Sequence, residues 1–426
     1  MAVPRVKHLN VNSLKDVIEE LVRLGCDTAR METVASRSVF RALRVENLAA
    51  PDALALREEM LAAGGEAVPT AAPTAVAPAG LPEVGGGASV VLSGTLDAFR
   101  RCLGGLSARG EAMKRLGGEI KTVLMNVEGS RAAPAVKCGR GELKFGGKTF
   151  VMGIINATPD SFFDGGRNFD VDTAVKTAID MAEAGVDIID VGGESTRPGS
   201  EPVPEEEEAR RVIPLIREIR AALKNIFISI DTSKASIAEK ALEAGADIVN
   251  DISALRFDGR TAAVAAEHEA PVCLMHMLGT PREMQKAPRY ETDVVFEIID
   301  FLAERIDYAV SKGIDENGII IDPGIGFGKT LEHNLAILNR LIEFKALGRP
   351  ILVGTSRKSF IGKVLDAEPP ERLEGTLASV ALAAAGGADI VRVHDYREAL
   401  RAARLADSIL RTRRTAGSNG KLGTDG

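Results

Sequence analysis

The chain has no tryptophan and only 3 tyrosines in 426 residues, so 14 phenylalanines carry nearly all of its aromatic content. A core built from this composition is aliphatic. Scarce rings also argue against recognition of single-stranded nucleic acid, which needs exposed aromatic faces for base stacking. Basic excess is missing too: 53 Lys plus Arg stand against 60 Asp plus Glu, a net charge of −7 with an isoelectric point near 5.5. Such a balance does not supply the field that holds duplex nucleic acid or an anionic membrane. No apolar run approaches the roughly 18 residues of a membrane helix, and the opening MAVPRVKHLNVNSLKDVIEE is too polar for a secretory signal. The 4 cysteines, Cys26, Cys102, Cys138 and Cys273, lie far apart, without metal-site spacing or a disulfide pattern. The expectation is a cytoplasmic enzyme acting on small molecules, with neither nucleic acid nor membrane as partner.

What is present divides near residue 135. The segment before it is rich in Ala, Gly and Pro, and VPTAAPTAVAPAGLPEVGGG at 68–87 has too little to bury and reads as a loop or linker. Around it the pattern predicts a strand at 41–46, a helix at 51–63, a strand at 89–93 and a helix at 96–108, a small α/β module over 1–135. Its charges nearly cancel, 16 Lys plus Arg against 15 Asp plus Glu, whereas the remainder carries 37 against 45. Residues 136–412 hold eight short β-branched runs, VMGII, VDIIDV, IFISI, ADIVN, PVCLM, GIIID, PILVG and ADIVRV, separated by amphipathic helices. Continuous rather than alternating apolar runs are how strands buried on both faces read, and eight of them predict a (β/α)8 TIM barrel. Residues 413–426 read as a disordered tail. A construction recurs in AEAGVDIIDV, LEAGADIVND and AAGGADIVRV, each placing Gly185, Gly245 or Gly387 after a helix and an Asp-Ile pair at the next strand.

Barrel enzymes place their chemistry where strands end, and here each predicted strand ends in polar residues. Asp231, Asn250 and Asp322 leave apolar strands where a carboxylate is costly unless paired or hydrogen-bonded. A ring rich in N–H donors, such as an aminopyrimidinone, would satisfy them, with Lys358 balancing charge. Arg197, Arg392, His394, Ser195 and Asn156 form a second set suited to an anion such as a diphosphate, while Asp160 and Asp164 suit Mg²⁺ or a developing carbocation. Bland alternatives accompany these. Asp231 alone reads as a helix N-cap ahead of Thr232 and Ser233. His276 reads as packing or support, His268 and His333 as exposed helix residues, and Glu205–Glu208 as the acidic first turn of a solvated helix. GIGFGKT at 324–330 is one residue too short for a nucleotide phosphate loop.

The motifs NATPDSFFDGG, DVGGESTRPG, DTSK, NDI, LMHM, DPGIGFGK, SRKSFIG and RVHD, in that order over about 140–411, resemble the dihydropteroate synthase family, the folate-pathway enzymes that sulfonamides inhibit. The resemblance implies condensation of 7,8-dihydropterin-6-ylmethyl diphosphate with 4-aminobenzoate, giving 7,8-dihydropteroate and diphosphate. It implies a pterin site of Asp190, Asp231, Asn250, Met275, Asp322, Lys358 and Arg392, and a diphosphate site of Asn156, Arg197, Arg392 and His394. Asn156 would hold Mg²⁺. Phe162, Ser195, Thr196, Pro198, Phe327 and Ser356 would form the aminobenzoate pocket, with Asp164, Lys358, Arg392 and His394 acting in catalysis. A homodimer is implied too, with GTLASVALAAAGG at 375–387 as a candidate surface. Ile155 and Ala157 stand where the family more often has Leu and Val. A corrinoid-linked pterin methyltransferase would share the barrel but has no use for the STRPG and SRK segments.

Overall fold

In the computed structural model the described residues are 6–69, 87–129, 135–157, 163–164, 168–169, 171–195, 200–410 and 412. They form two compact units, one within Met1–Glu128 and one within Gly129–Arg411.

The first unit carries the expected strands and helices at Phe40–Leu48, Ala50–Ala62, Ala88–Thr95 and Leu96–Ser107. Its sheet is antiparallel, with Ala88–Thr95 central between Phe40–Leu48 and Glu66–Pro69. The strand Glu66–Pro69 corrects the linker reading at its start, since Val68 and Pro69 are paired; 70–86 lie outside the described residues, as does 413–426. Three further helices were not expected, Leu14–Arg23, Thr28–Ser38 and Glu111–Val127. The first two announce themselves through side-chain caps, Ser13 with Asp16 and then Asp27. The third has no such cap and holds two interior glycines, each costing about 1 kcal/mol of helix propensity. Packing overrides that cost, because Gly117 lets Leu103 and Leu106 approach the helix backbone.

The second unit is the barrel. Its strands are β1 Phe150–Asn156, β2 Ile188–Gly192, β3 Phe227–Asp231, β4 Ile248–Asp251, β5 Val272–Met275, β6 Ile319–Asp322, β7 Leu352–Gly354 and β8 Ile390–Val393. All pairings among them are parallel, in the order β6-β5-β4-β3-β2-β1-β8-β7, and the parallel bridge Ile321–Ile351 joins the two ends of the sheet. Each predicted run is thus a strand. The outer helices are α1 Val171–Ala184, α2 Glu205–Ala222, α3 Ala235–Ala244, α4 Thr261–Glu267, α5 Val294–Ser311, α6 Leu331–Asn339, α7 Leu373–Ala385 and α8 Tyr396–Leu410.

Strand alternation sorts the side chains. Ile189, Val191, Ile228, Ile230, Val249, Leu274, Ile321, Val353 and Val391 face the helices in the main core. Met152, Ile188, Ile248, Cys273, Ile320, Leu352 and Ile390 face inward as the barrel floor, sealed by Val136, Cys138 and Leu143 of the hairpin Ala135–Cys138/Gly141–Lys144. Each such fully buried aliphatic side chain contributes about 1.5–3 kcal/mol. Two residues further along six of these strands lie Asp190, Asn250, Met275, Asp322, Gly354 and Arg392. The same alternation that buries the floor therefore points these groups into the barrel mouth.

The internal repeat has a structural meaning. Gly185, Gly245 and Gly387 all take left-handed φ, +94°, +114° and +97°. Two residues later Asp187, Asp247 and Asp389 accept hydrogen bonds from the backbone N–H of Val151, Ile228 and Ile351, at 3.0, 2.9 and 2.9 Å, where the neighbouring strands begin. Lys148, Arg220 and Lys345 neutralise the three carboxylates. Asp247→Ala should cost about 3 kcal/mol, because Arg220 is left buried without its carboxylate. Urea unfolding checks this, and an unchanged midpoint would contradict it.

Candidate active site

The register of the parallel sheet sets the site. Asn156 pairs with Gly192, Gly192 with Asp231 and Asp231 with Asn250, a row across β1 to β4, while Met275 pairs with Asp322 and Gly354 with Arg392. Within this row Arg392 Nε donates to Asp190 Oδ2 at 2.7 Å and Nη2 to Asp231 Oδ2 at 2.6 Å. Asn250 Nδ2 sits 3.3 Å from Asp190 Oδ1. On the far side Asp322 Oδ1 accepts the N–H of Gly324 at 2.6 Å. Lys358 Nζ donates to the Ile325 carbonyl and lies 4.8 Å from the centre of the Phe327 ring. Gly354 makes this possible: the place of its absent side chain lies 3.8 Å from Lys358 Nζ, so the ammonium occupies space that a larger residue would fill.

Removal from water dominates the electrostatics. Burial pushes Asp231 up to about 7, against the pull of Arg392 and reinforced by Asp190. It raises Asp322 as well, although Lys358 opposes this, and it pulls Lys358 down to about 8. Arg392 moves upward despite burial, because Asp190 and Asp231 hold its charge. A carboxyl pushed up and an ammonium pulled down thus face one cavity, their burial only partly offset by Arg392 and by the Ile325 carbonyl.

At the edge of the mouth, buried Ser356 Oγ lies 3.0 Å from His394 Nδ1 and accepts the His394 N–H at 3.2 Å. Met275 is buried with Ile252, Met277 and Met284, with Phe327 packed against them. The structure thus brings Asn156, Asp190, Asp231, Asn250, Met275, Asp322, Phe327, Ser356, Lys358, Arg392 and His394 to the strand ends. Ser195 lies on the loop after β2, where its carbonyl accepts from Ser200 Oγ. Asp160, Phe162, Thr196, Arg197 and Pro198 fall outside the described residues; Asp164 lies in the short strand Phe163–Asp164.

Several bland expectations are overturned. Asp231 is no N-cap: α3 starts after Lys234 without a side-chain cap, and the Ala235 N–H goes to Asp258. Glu208 is not solvated but 1% exposed, and it accepts from Thr232 Oγ1 at 2.7 Å and from Lys234 Nζ at 2.5 Å. Lys234 Nζ also donates to Glu194 and to the Val203 carbonyl, so it ties the two flanks of the second loop to the strand that carries Asp231. Neither Lys234 nor Glu194 was singled out, although both stand inside the DTSK and GGEST motifs. His333 is half-buried and completes a capping box with Thr330, while His268 is exposed as expected.

A profile described as pterin binding enzyme matches residues 152–394, more than half of the sequence. The chain belongs to the pterin binding enzyme family. It is 49% identical over 279 residues to the dihydropteroate synthase of Synechocystis sp., covering 65% of this chain and 96% of that one. A probable bifunctional folylpolyglutamate synthase/dihydropteroate synthase of Haloferax volcanii is 42% identical over 389 residues, 89% of this chain but 44% of that protein. So long a match extends beyond the barrel into the first unit. Among solved structures, Xanthomonas albilineans dihydropteroate synthase with 4-aminobenzoic acid superposes with a TM-score of 0.61 at 42% identity, covering 66% of this chain and 99% of that one.

Because Arg392 is what holds Asp231 down, Arg392→Met should raise the Asp231 pKa above about 7. A carboxyl NMR titration reads this directly, and an unmoved or lowered value would show that the pairing is not what governs the site.

Proposed function

We propose that the chain catalyses the dihydropteroate synthase reaction, joining 4-aminobenzoate to the methylene carbon of 7,8-dihydropterin-6-ylmethyl diphosphate. The observation that carries the reading is the barrel mouth of Asp231, Asn250, Asp322 and Lys358 around Arg392, inside the region matched by the family profile. Asp231 and Asp322 accept N–H groups of the pterin ring, Asn250 can both donate and accept, and Lys358 meets a ring nitrogen or carbonyl. Met275 lines this pocket. Arg392, anchored by Asp190 and Asp231, lies against the pterin and reaches the diphosphate, which Asn156, Arg197 and His394 also contact.

The bond from methylene carbon to diphosphate oxygen breaks, the amine nitrogen bonds to that carbon, and the amine loses its proton to solvent. The leaving group is already stable, so no side-chain nucleophile is needed. The protein holds the reactants together and stabilises developing charge. Asp164 is assigned to the cationic carbon. Phe162, Ser195, Thr196, Pro198, Phe327 and Ser356 are assigned to the aminobenzoate. No group of three or more His, Cys, Asp or Glu that could cage a metal occurs among the described residues. Asn156 supplies a single neutral oxygen, which fits Mg²⁺ held mainly by water and substrate oxygens. Bound there, Mg²⁺ would neutralise part of the diphosphate charge.

The working form we propose is a homodimer in the cytoplasm. Leu382 of α7 and Leu405 and Ile409 of α8 are 66%, 64% and 65% exposed on adjoining helices, an apolar face of the kind that a second copy covers. Among the described residues no helix is long and apolar enough to cross a membrane.

Diphosphate release should require both substrates, and release from the pterin diphosphate alone would overturn the reading. Turnover should fall below about pH 7 as Asp231 takes a proton and above about pH 8 as Lys358 loses one; Asp231→Asn should abolish pterin binding in calorimetry. In light scattering, Leu405→Glu combined with Leu382→Glu should halve the particle mass. A mass unchanged from the parent dimer would move the interface elsewhere.

A further inference from the structure

The loop after β6 carries a buried lysine for which the reaction above has no use. Lys329 is only 3% exposed, and among the described residues no carboxylate lies within hydrogen-bond distance of its Nζ. Its Nζ lies 2.9 Å from His276 Nδ1 and donates to the Phe327 carbonyl at 3.0 Å, with the His276 carbonyl at 3.5 Å. Burial pulls both Lys329 and His276 well below their ordinary values, with Asp322 attracting the lysine and Lys358 repelling it. The His276 ring is set edge-on against Phe301 at 4.8 Å. A lysine this buried, with only a distant carboxylate to attract it, is costly to keep, and its bonds show what it holds.

What it holds is the contact between two loops. Gly324, Gly326 and Gly328 all have positive φ; side chains at Gly324 and Gly328 would collide, and one at Gly326 would crowd Lys358. A Cβ on Gly324 would lie 1.9 Å from the His276 carbonyl oxygen, one on Gly326 3.1 Å from Lys358, and one on Gly328 2.6 Å from Leu278. The GIGFG backbone thus lies directly on the loop after β5 on one side and on Lys358 on the other. Other bonds fasten its outside: Gln285 to the Gly326 carbonyl at 2.6 Å, Tyr290 to the Gly328 carbonyl at 3.0 Å and the Gly326 N–H to Asn334 at 2.7 Å. Lys329 is the fastening from beneath, joining His276 at the end of β5 to the carbonyl of Phe327 itself.

We propose that Lys329, acting through His276, is a positioning residue that fixes the height and tilt of Phe327 over Lys358 and thereby sets the capture of the arylamine. The glycine-rich loop followed by lysine is a platform for a ring and not a cradle for a phosphate. This rests on the functional reading given above.

Three variants and the parent protein test it in steady-state assays and in calorimetric titration with the pterin diphosphate alone. Lys329→Met should raise KM for 4-aminobenzoate by about tenfold, while the pterin dissociation constant changes less than about threefold, because the ring is misplaced and the deep pocket is not. His276→Asn keeps an acceptor for Lys329 and should stay within about twofold of the parent in both constants. The double variant Lys329→Met/His276→Leu replaces a polar pair with an apolar one. It should recover the melting temperature but keep the raised KM. A normal KM for 4-aminobenzoate in folded Lys329→Met, or recovery of KM together with stability in the double variant, would overturn the proposal by making the pair merely structural. A parent protein inactive with both substrates would overturn the functional reading along with it.

Discussion

One guanidinium between two buried carboxylates organises the mouth of this barrel. Arg392 leaves β8 and bonds both Asp190 on β2 and Asp231 on β3, tying together strands that β1 separates on one side of the ring. Without the arginine, the two acids would face each other in a medium where neither could ionise cheaply. With it, one guanidinium serves both Asp190 and Asp231, and Asp322 is left to Lys358 across the mouth. An uncharged ring offering N–H donors gives these carboxyls hydrogen bonds without adding a further charge, which suits an aminopyrimidinone better than an acid.

The barrel was legible because its strands are buried on both faces. Such strands must be apolar throughout, and eight runs of that kind have few other ways to be covered. The polar residues that break the runs were legible for the same reason: a carboxylate such as Asp322 ending an apolar strand asks for a partner beyond its turn bond to Gly324. What escaped notice was polarity used for support. Glu208 looks like its exposed neighbours Glu205 and Glu206, and only the position of Lys234, 26 residues away, shows it to be buried. Lys329 sits in a motif that suggests phosphate, and its partner His276 comes from another strand. Pairings across that distance leave no periodic trace. The helix Glu111–Val127 was missed for a local reason, since its glycines and absent cap argue against a helix that packing then imposes.

The repeated Gly-x-Asp element shows how one turn can serve both halves of a βα unit. Glycine ends the helix in a conformation other residues resist, and the aspartate two places on closes the ladder to the next strand, where a first N–H would otherwise be unpaired. These turns sit at the end opposite the chemistry, and their three carboxylates are matched by three cations. Net charge therefore says little about the mouth, which is assembled from a few local groups.

The hairpin Ala135–Lys144 packs under the strands through Val136, Cys138 and Leu143 and stoppers the lower end of the barrel. A vessel closed at the bottom fills and empties through one opening. Whatever lies deepest must enter first and leave last, and a second molecule resting above it bars its exit. On the proposed reaction, the order of binding and release thus follows from the closed floor beneath the pterin site.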